Sequence, residues 1–188
     1  MMSELSLNIL DIVQNSISAG ASLVEVTINQ QEKNDTLIIS VKDNGKGMSQ
    51  EFLKTVENPF VTTRKARKVG LGISFFKQAA EMTDGSLKID SKLGVGTTIT
   101  ARFKNSHIDR QPLGDIAGTI TALCTLNPDI DFRLDYIVNE NDFKFDTMEV
   151  REQLGGDVPL SSPSVADFLN EYIKENIDNL SGKEGHKN

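Results

Sequence analysis

Acidic and amide side chains that could hold a metal ion or accept a proton occur in the segment LDIVQNSISAGAS. Asp11 and Asn15 are four residues apart, a spacing that places them on one face of a helix. A carboxylate can take a proton from water or a hydroxyl group, and an amide oxygen can ligate Mg²⁺. Alone, the pair is more typical of a solvent-exposed helix face.

A second segment, DNGKGM, follows the apolar run TLIISVK and places Asp43 directly before Gly45 and Gly47. Asn-Gly is a strong hairpin signal because both residues tolerate positive φ. A hairpin, however, requires neither the second glycine nor the aspartate. A carboxylate at a strand end can accept a hydrogen bond from an exocyclic amine, and glycines let a flat base approach the backbone.

Two further segments carry glycines beside strands or helices. NPFVTTRKARKVGLGI leads into a helix, so Gly70 and Gly72 can present free N–H groups to an anion. A basic cluster precedes them, formed by Arg64, Lys65, Arg67 and Lys68. LGVGTT lies between two strands; alone it is typical of a glycine hairpin.

The hydrophobic periodicity of the first 105 residues predicts the elements that position these segments. Residues 4–18 and 72–83 have helical spacing, whereas 24–28, 37–41, 86–91 and 97–103 alternate as strands. The order helix, strand, strand, loop, helix, strand, strand predicts an α+β fold. It comprises a mostly antiparallel sheet with helices on one face.

The pattern changes near residue 107, and we predict two units, 1–106 and 107–188. The second is expected to have a helix over 115–126, a β-hairpin within 130–145, a short helix over 147–154 and a final helix over 162–180. It reads as a small α+β extension. Its role is open between a stabilising cap on the sheet and a surface for partner or self contacts.

Composition excludes several classes of protein. The net charge of -7 disfavours nucleic-acid binding, which needs clustered Lys and Arg. One cysteine, Cys124, permits no internal disulfide. No apolar stretch approaches the length of a membrane span, so the default expectation is a cytoplasmic protein without a membrane partner.

Taken in order, the four segments resemble the boxes of the GHKL superfamily, which includes gyrase, the heat-shock chaperone, histidine kinases and MutL. LDIVQNSISAGAS resembles the N-box, DNGKGM the G1 box, NPFVTTRKARKVGLGI the F and G2 boxes with the ATP lid, and LGVGTT the G3 box. The resemblance covers residues 3–104 and is strongest to the ATPase domain of histidine kinases. It implies the Bergerat fold, a two-layer α/β sandwich that binds ATP.

The resemblance also implies roles for individual residues. Asp43 would bind the adenine amino group, and Asn15 would ligate Mg²⁺ between the phosphates. Thr97 or Thr98 would support the adenine through water. The base pocket would be lined by Gly45, Gly47 and Met48. The phosphates would be contacted from the loop and helix start that contain Arg64, Lys65, Lys68, Gly70, Leu71 and Gly72.

Two positions depart from the family pattern. Histidine kinases usually carry an amide, and hydrolysing members a glutamate, where this chain has Asp11. Asp11 is one methylene shorter than glutamate, so its service as the catalytic base depends on whether it reaches the group it deprotonates. Lys68 replaces the first glycine of the kinase lid motif and could contact the γ-phosphate.

The resemblance implies a Mg²⁺-dependent ATP-binding protein, with slow ATPase or Ser/Thr-type protein kinase activity. The alternative is a non-catalytic module that ATP switches between protein-binding states. Neither His107 nor His186 has the setting of a phosphoacceptor, so a stand-alone ATP-binding unit is expected. The expected partners are ATP or ADP and a protein, with a second copy bound through residues 107–188 as one option.

Overall fold

The computed structural model describes residues 4–57, 71–155, 157–180 and residue 182. Helices and strands follow one another along these residues in an order close to the predicted one. The elements are α1 (Leu5–Ser18), β1 (Leu23–Gln31), β2 (Thr36–Asp43), α2 (Gln50–Glu57), α3 (Gly72–Glu81), β3 (Ser86–Lys92), β4 (Gly96–Lys104), α4 (Ile116–Leu126), β5 (Asp131–Val138), β6 (Asn141–Asp146), α5 (Thr147–Leu154) and α6 (Pro163–Leu180).

The strands form one six-stranded sheet in the order β3-β4-β2-β1-β5-β6. Neighbouring strands are antiparallel except β1 and β5, which are parallel. Helices α1, α3, α4 and α6 supply the buried apolar side chains that pack on the sheet. The predicted α+β class, with a mostly antiparallel sheet, is confirmed.

The two faces of the sheet differ because successive side chains of a strand point to opposite sides. On the helix-covered face, Val26 lies between Val41 and Leu134, and all three are buried. One residue earlier on β1, Glu25 occupies the other face between Lys42 and Arg133. Lys42 Nζ lies 2.8 Å from Glu25 Oε2, and this ion pair lowers the pKa of Glu25. The apolar face therefore carries the core, and the opposite face is polar.

Helix α2 was not predicted, since the sequence pattern indicated a loop after β2. Ser49 caps it: the N–H of Phe52 donates to Ser49 Oγ at 3.2 Å. The signal was present as a capping serine followed by Phe52, Leu53 and Val56 at helical spacing. At eight residues the helix is short, and short apolar runs give weak periodicity.

No helix in the described part of the chain has the length and apolar character that spanning a bilayer requires.

The C-terminal strands join the sheet of the first half. β5 runs parallel to β1 from Leu23 beside Asp131 to Gln30 beside Val138, and β6 then forms the sheet edge. Helix α4 makes the crossover between β4 and β5, as a parallel connection requires. That residues 107–188 act as a separate unit stays a prediction.

Candidate functional site

The site is built at the end of β2, where the apolar face of the sheet gives way to polar side chains. Asp43 is paired with Val24 on one side and with Thr97 on the other. Thr97 is paired in turn with Ser91. Residues paired in this way share a face, so Asp43, Thr97 and Ser91 form a polar row at the end of the buried face.

The carboxylate of Asp43 is fixed by two donors. Its Oδ2 accepts a hydrogen bond from Ser16 Oγ at 2.7 Å, and its Oδ1 accepts one from the N–H of Gly45 at 2.8 Å. Asp43 is only 9% exposed, and Ser16 is buried on α1. Hydrogen bonds to a charged group are among the stronger ones in proteins, so the side chain has a defined orientation.

The loop after β2 packs closely on the β3–β4 hairpin through two glycines. Gly47 has φ +65°, and a Cβ there would lie 2.0 Å from the carbonyl oxygen of Lys92. Gly96 has φ +141°, and a Cβ there would lie 2.0 Å from the carbonyl oxygen of Asp43. Both positions therefore require glycine, for conformation as well as for space.

These elements enclose a cavity of about 660 Å³, within the usual range for small-molecule sites. Its wall combines apolar side chains from α1, α2, α3 and β4 with polar groups from α1, β2 and β4. The lining residues are Ile12, Asn15, Ser16, Ser18, Ala19, Asp43, Lys46, Gly47, Met48, Phe52, Ile73, Thr97 and Ile99. An apolar cavity with few oriented polar groups suits a flat heterocycle that carries hydrogen-bonding edges.

The two polar residues of α1 have different positions. Asn15 lines the cavity. Asp11, one turn earlier, is not among the described lining residues and lies against the start of α3. A Cβ on Gly72 would be 2.7 Å from Asp11 Cβ and 3.0 Å from Asp11 Oδ2. Gly72 therefore permits close packing between α1 and α3.

The structure brings together only part of the predicted site. Asp43, Gly47, Met48, Thr97 and Asn15 line the cavity. Gly45 does not line it, but its N–H holds the Asp43 carboxylate.

Other predicted residues lie elsewhere. Thr98 is paired with Lys42 and Asp90 on the polar face, so of the two threonines only Thr97 reaches the cavity. Leu71 is 71% exposed and does not line it. Four of the predicted residues lie outside the described part of the chain, namely Arg64, Lys65, Lys68 and Gly70.

Sequence reasoning missed several residues of the site. Ser16 shares the buried face of α1 with Ile9, Ile12 and Val13, and a hydroxyl among such residues was the signal that it has a polar partner. Ser91 Oγ accepts a hydrogen bond from the N–H of Met48 at 2.8 Å and lies 2.8 Å from Thr97 Oγ1. Phe52 belongs to the unpredicted helix α2, so its place in the wall could not be inferred.

A sequence profile of the family described as histidine kinase-, DNA gyrase B- and HSP90-like ATPase matches residues 1–107. The chain belongs to this family. The matched residues include all those that line the cavity. The predicted GHKL resemblance is therefore confirmed, and the chain carries an ATPase domain of this family.

Curated relatives are similar over the same half of the chain. Sporulation kinase C of Bacillus subtilis strain 168 is 39% identical over 88 residues, which are 47% of this chain and 20% of the kinase. Histidine protein kinase DivJ of Caulobacter vibrioides is 32% identical over 99 residues, which are 50% of this chain and 17% of the kinase. The alignments thus span about a fifth of these relatives.

A solved structure resembles almost the whole fold. The MutL ATPase domain of Aquifex aeolicus, complexed with ADP, superposes with a TM-score of 0.51 and 17% sequence identity. The superposition covers 98% of this chain and 99% of that chain. It supports the fold assignment beyond the residues matched by the family profile.

Proposed function

We propose that the cavity binds ATP with the adenine ring against Asp43. The supporting observation is the carboxylate itself, which is buried at a strand end and held by Ser16 and Gly45. Each carboxylate oxygen has two lone-pair sites, so Asp43 can accept a further hydrogen bond from a ligand. The exocyclic amine of adenine is such a donor, and guanine presents a carbonyl oxygen at the equivalent position.

The experiment is a calorimetric titration of the purified chain with ATP and with GTP in the presence of Mg²⁺. We expect binding of ATP in preference to GTP, and we expect Asp43→Asn to weaken ATP binding by roughly one to two decades. Asp90→Asn, on the polar face of β3, is the matched control and should bind as the wild type does. Unchanged ATP affinity in the Asp43 variant would overturn the assignment.

Asn15 is the residue that we propose holds Mg²⁺. It lines the cavity on α1, and its amide oxygen is the hard donor that this ion prefers. Within the described ranges, no group of three or more His, Cys, Asp or Glu could hold a metal ion by itself. The site therefore suits an ion that would be bound by the Asn15 oxygen together with the phosphates. The ion would neutralise part of the phosphate charge.

The reaction that we favour is slow ATP hydrolysis or phosphoryl transfer to a serine or threonine of a partner protein. Asp11 is the proposed base, on the same helix as Asn15 and beside the start of α3. One observation favours the alternative of a non-catalytic, ATP-switched binding module: Asp11 is absent from the described cavity wall. A base must come within hydrogen-bond reach of the group it deprotonates.

Two variants of α1 separate binding from chemistry. If Asp11 is the base, Asp11→Asn should keep ATP affinity and lower phosphate release or transfer by two to four decades. Asn15→Ala should instead weaken Mg-ATP binding, because it removes a metal ligand. Phosphate release is measured alone and with candidate partners. If wild-type protein shows no phosphate release or transfer above the buffer rate, the proposed enzymatic activity is contradicted. The non-catalytic binding module is then favoured.

A further inference from the structure

Another large cavity among the described residues lies beside β6, the edge strand on the far side of β1 and β5 from the proposed nucleotide cavity. It has a volume of about 590 Å³ and runs beside the end of the edge strand β6. Its walls come from α5 and α6, with apolar side chains on both. The lining residues are Lys144, Phe145, Asp146, Glu149, Val150, Gln153, Leu154, Val158, Ser164, Val165, Phe168, Leu169 and Tyr172.

Three aromatic side chains lie beside this cavity. Phe168 and Tyr172 are stacked, with ring centroids 5.9 Å apart, and Tyr172 packs edge-on against Phe143 of β6 at 5.6 Å. Phe168 is 60% exposed and Tyr172 is 42% exposed, whereas Phe143 is buried. A stacked aromatic pair in water beside a sheet edge is the kind of surface that protein interfaces cover.

The lateral edge of β6 has no strand beside it among the described residues, and the hydrogen bonds of α5 are directed to β5 instead. Thr147 Oγ1 accepts a hydrogen bond from the N–H of Phe132 at 2.9 Å. Arg151 binds Asp131 and the carbonyl oxygen of Ile130, the latter at 3.2 Å. Both contacts hold α5 at the beginning of β5. Among the described residues, β6 pairs with β5 alone, so its outer backbone groups can pair with another strand.

We propose that β6 pairs antiparallel with β6 of a second copy of this chain, about a two-fold axis at Phe143. In this register Asp142 lies opposite Lys144 of the second copy, and Lys144 lies opposite its Asp142. Within one chain Lys144 Nζ and Asp142 Oδ2 are 3.9 Å apart, longer than a hydrogen bond, so the polar face of the new sheet can gain two cross-strand pairs of opposite charge. On the helix side, the two copies bring Phe143, Tyr172 and Phe168 together across the axis and bury the exposed parts of Tyr172 and Phe168.

Charge selects this register among the alternatives. An axis at Lys144 would place Lys144 opposite its own copy and Asp142 opposite Asp146, which are like charges directly opposed. An axis at Phe145 would use Asp146, but its carboxylate already accepts hydrogen bonds from Arg133 at 2.7 Å and from the N–H of Met148 at 2.8 Å. That register would also pair fewer strand residues, since β6 ends at Asp146.

The other sheet edge provides a comparison. β3 also carries alternating charges, with Lys88 Nζ 2.8 Å from Asp90 Oδ2. Residues before and at the start of α2 lie against that strand, however: the N–H of Met48 donates to Ser91 Oγ, and Gln50 Nε2 donates to the Ser91 carbonyl oxygen at 3.4 Å. The β3 edge is thus partly occupied and, within the described ranges, borders no stacked aromatic pair, so β6 is the edge that we assign to self-association.

Sedimentation equilibrium of the full chain without nucleotide tests the proposal, and its outcome does not depend on ATP binding. The wild type should be a dimer. Lys144→Asp places a carboxylate opposite Asp142 of the second copy, and the two-fold axis repeats this pair. The dissociation constant of the dimer should therefore rise roughly tenfold or more. Asp142→Lys should weaken the dimer in the same way. The double variant Asp142→Lys/Lys144→Asp restores opposite charges and should return affinity towards the wild-type value.

Lys88→Asp is the matched control, because it makes the same change on the other edge strand. It should leave the dimer intact, and circular dichroism checks that every variant is folded. A monomeric wild type would leave the β6 edge to a strand of another protein and would overturn the proposal. A double variant as weak as the single ones, or a dimer weakened by Lys88→Asp and not by Lys144→Asp, would overturn it as well.

Discussion

At the scale of single residues, the site depends on which face of the sheet a side chain occupies. Thr97 and Thr98 are adjacent in the sequence, and the GVGTT segment alone could not choose between them. The register with β2 does so, because Thr97 is paired with Asp43 and Thr98 with Lys42. A shift of one residue in that register would exchange the two threonines between the cavity and the polar face.

Replacing each threonine by valine tests this difference with nearly constant volume. Thr97→Val removes a hydroxyl that lies 2.8 Å from Ser91 Oγ beside the Asp43 carboxylate. We expect a five- to tenfold loss of ATP affinity, about 1 kcal/mol, which is the usual net value of one hydrogen bond. Thr98→Val is the control and should bind ATP as the wild type does. Equal effects in the two variants, measured by calorimetric titration, would contradict the assigned role of Thr97.

At the scale of helices and strands, periodicity predicted the strands and all helices except α2. Strands such as β1 and β2 have one buried and one polar face, so their alternation is visible in the sequence. Pairing between distant segments was not visible. The close contact of α3 with α1 depends on the absence of a Cβ atom at Gly72. The place of α2 beside the cavity depends on how the β2–α2 loop packs on Ser91.

Gly72→Ala tests the close packing of α1 and α3. In an exposed helix this change is stabilising, by up to about 1 kcal/mol. Here the added Cβ would lie 2.7 Å from Asp11 Cβ, so one helix must move, and overpacking of this kind costs about 1–3 kcal/mol. We expect a net decrease in the free energy of unfolding, measured in urea. Ser74→Ala, on the exposed face of α3, is the control, and a stabilised Gly72 variant would contradict the packing argument.

At the scale of the whole molecule, the parallel pairing of β1 with β5 joins the two halves of the chain. The sequence indicated a change of character near residue 107, but pairing between β1 and β5 cannot be read from either segment alone. The core crosses this position: Val26 and Leu134 are neighbours on the buried face, and Ile9 and Leu169 belong to the same cluster. A continuous core predicts that the two halves unfold together, even though only residues 1–107 match the family profile.

Cys124 on α4 provides a reporter for this cooperativity. Burial raises the pKa of its thiol to about 12, whereas a thiol in an unfolded chain has a pKa of about 8.5. The nucleophile is the thiolate, so at pH 8 alkylation should be negligible in the folded protein and rapid after unfolding. The urea midpoint for labelling should coincide with the midpoint for loss of circular dichroism.

Two core truncations, one in each half of the chain, complete this test of cooperativity. Ile9→Ala in α1 and Leu169→Ala in α6 each remove a fully buried side chain, at a cost of about 2–5 kcal/mol. If the halves form one cooperative unit, the urea midpoints for thiol labelling and for circular dichroism should stay equal to one another in each variant. Both should fall, whichever half carries the truncation. In the Leu169 variant, thiol labelling at a urea concentration where part of the circular dichroism signal still persists would instead show that residues 107–188 unfold separately.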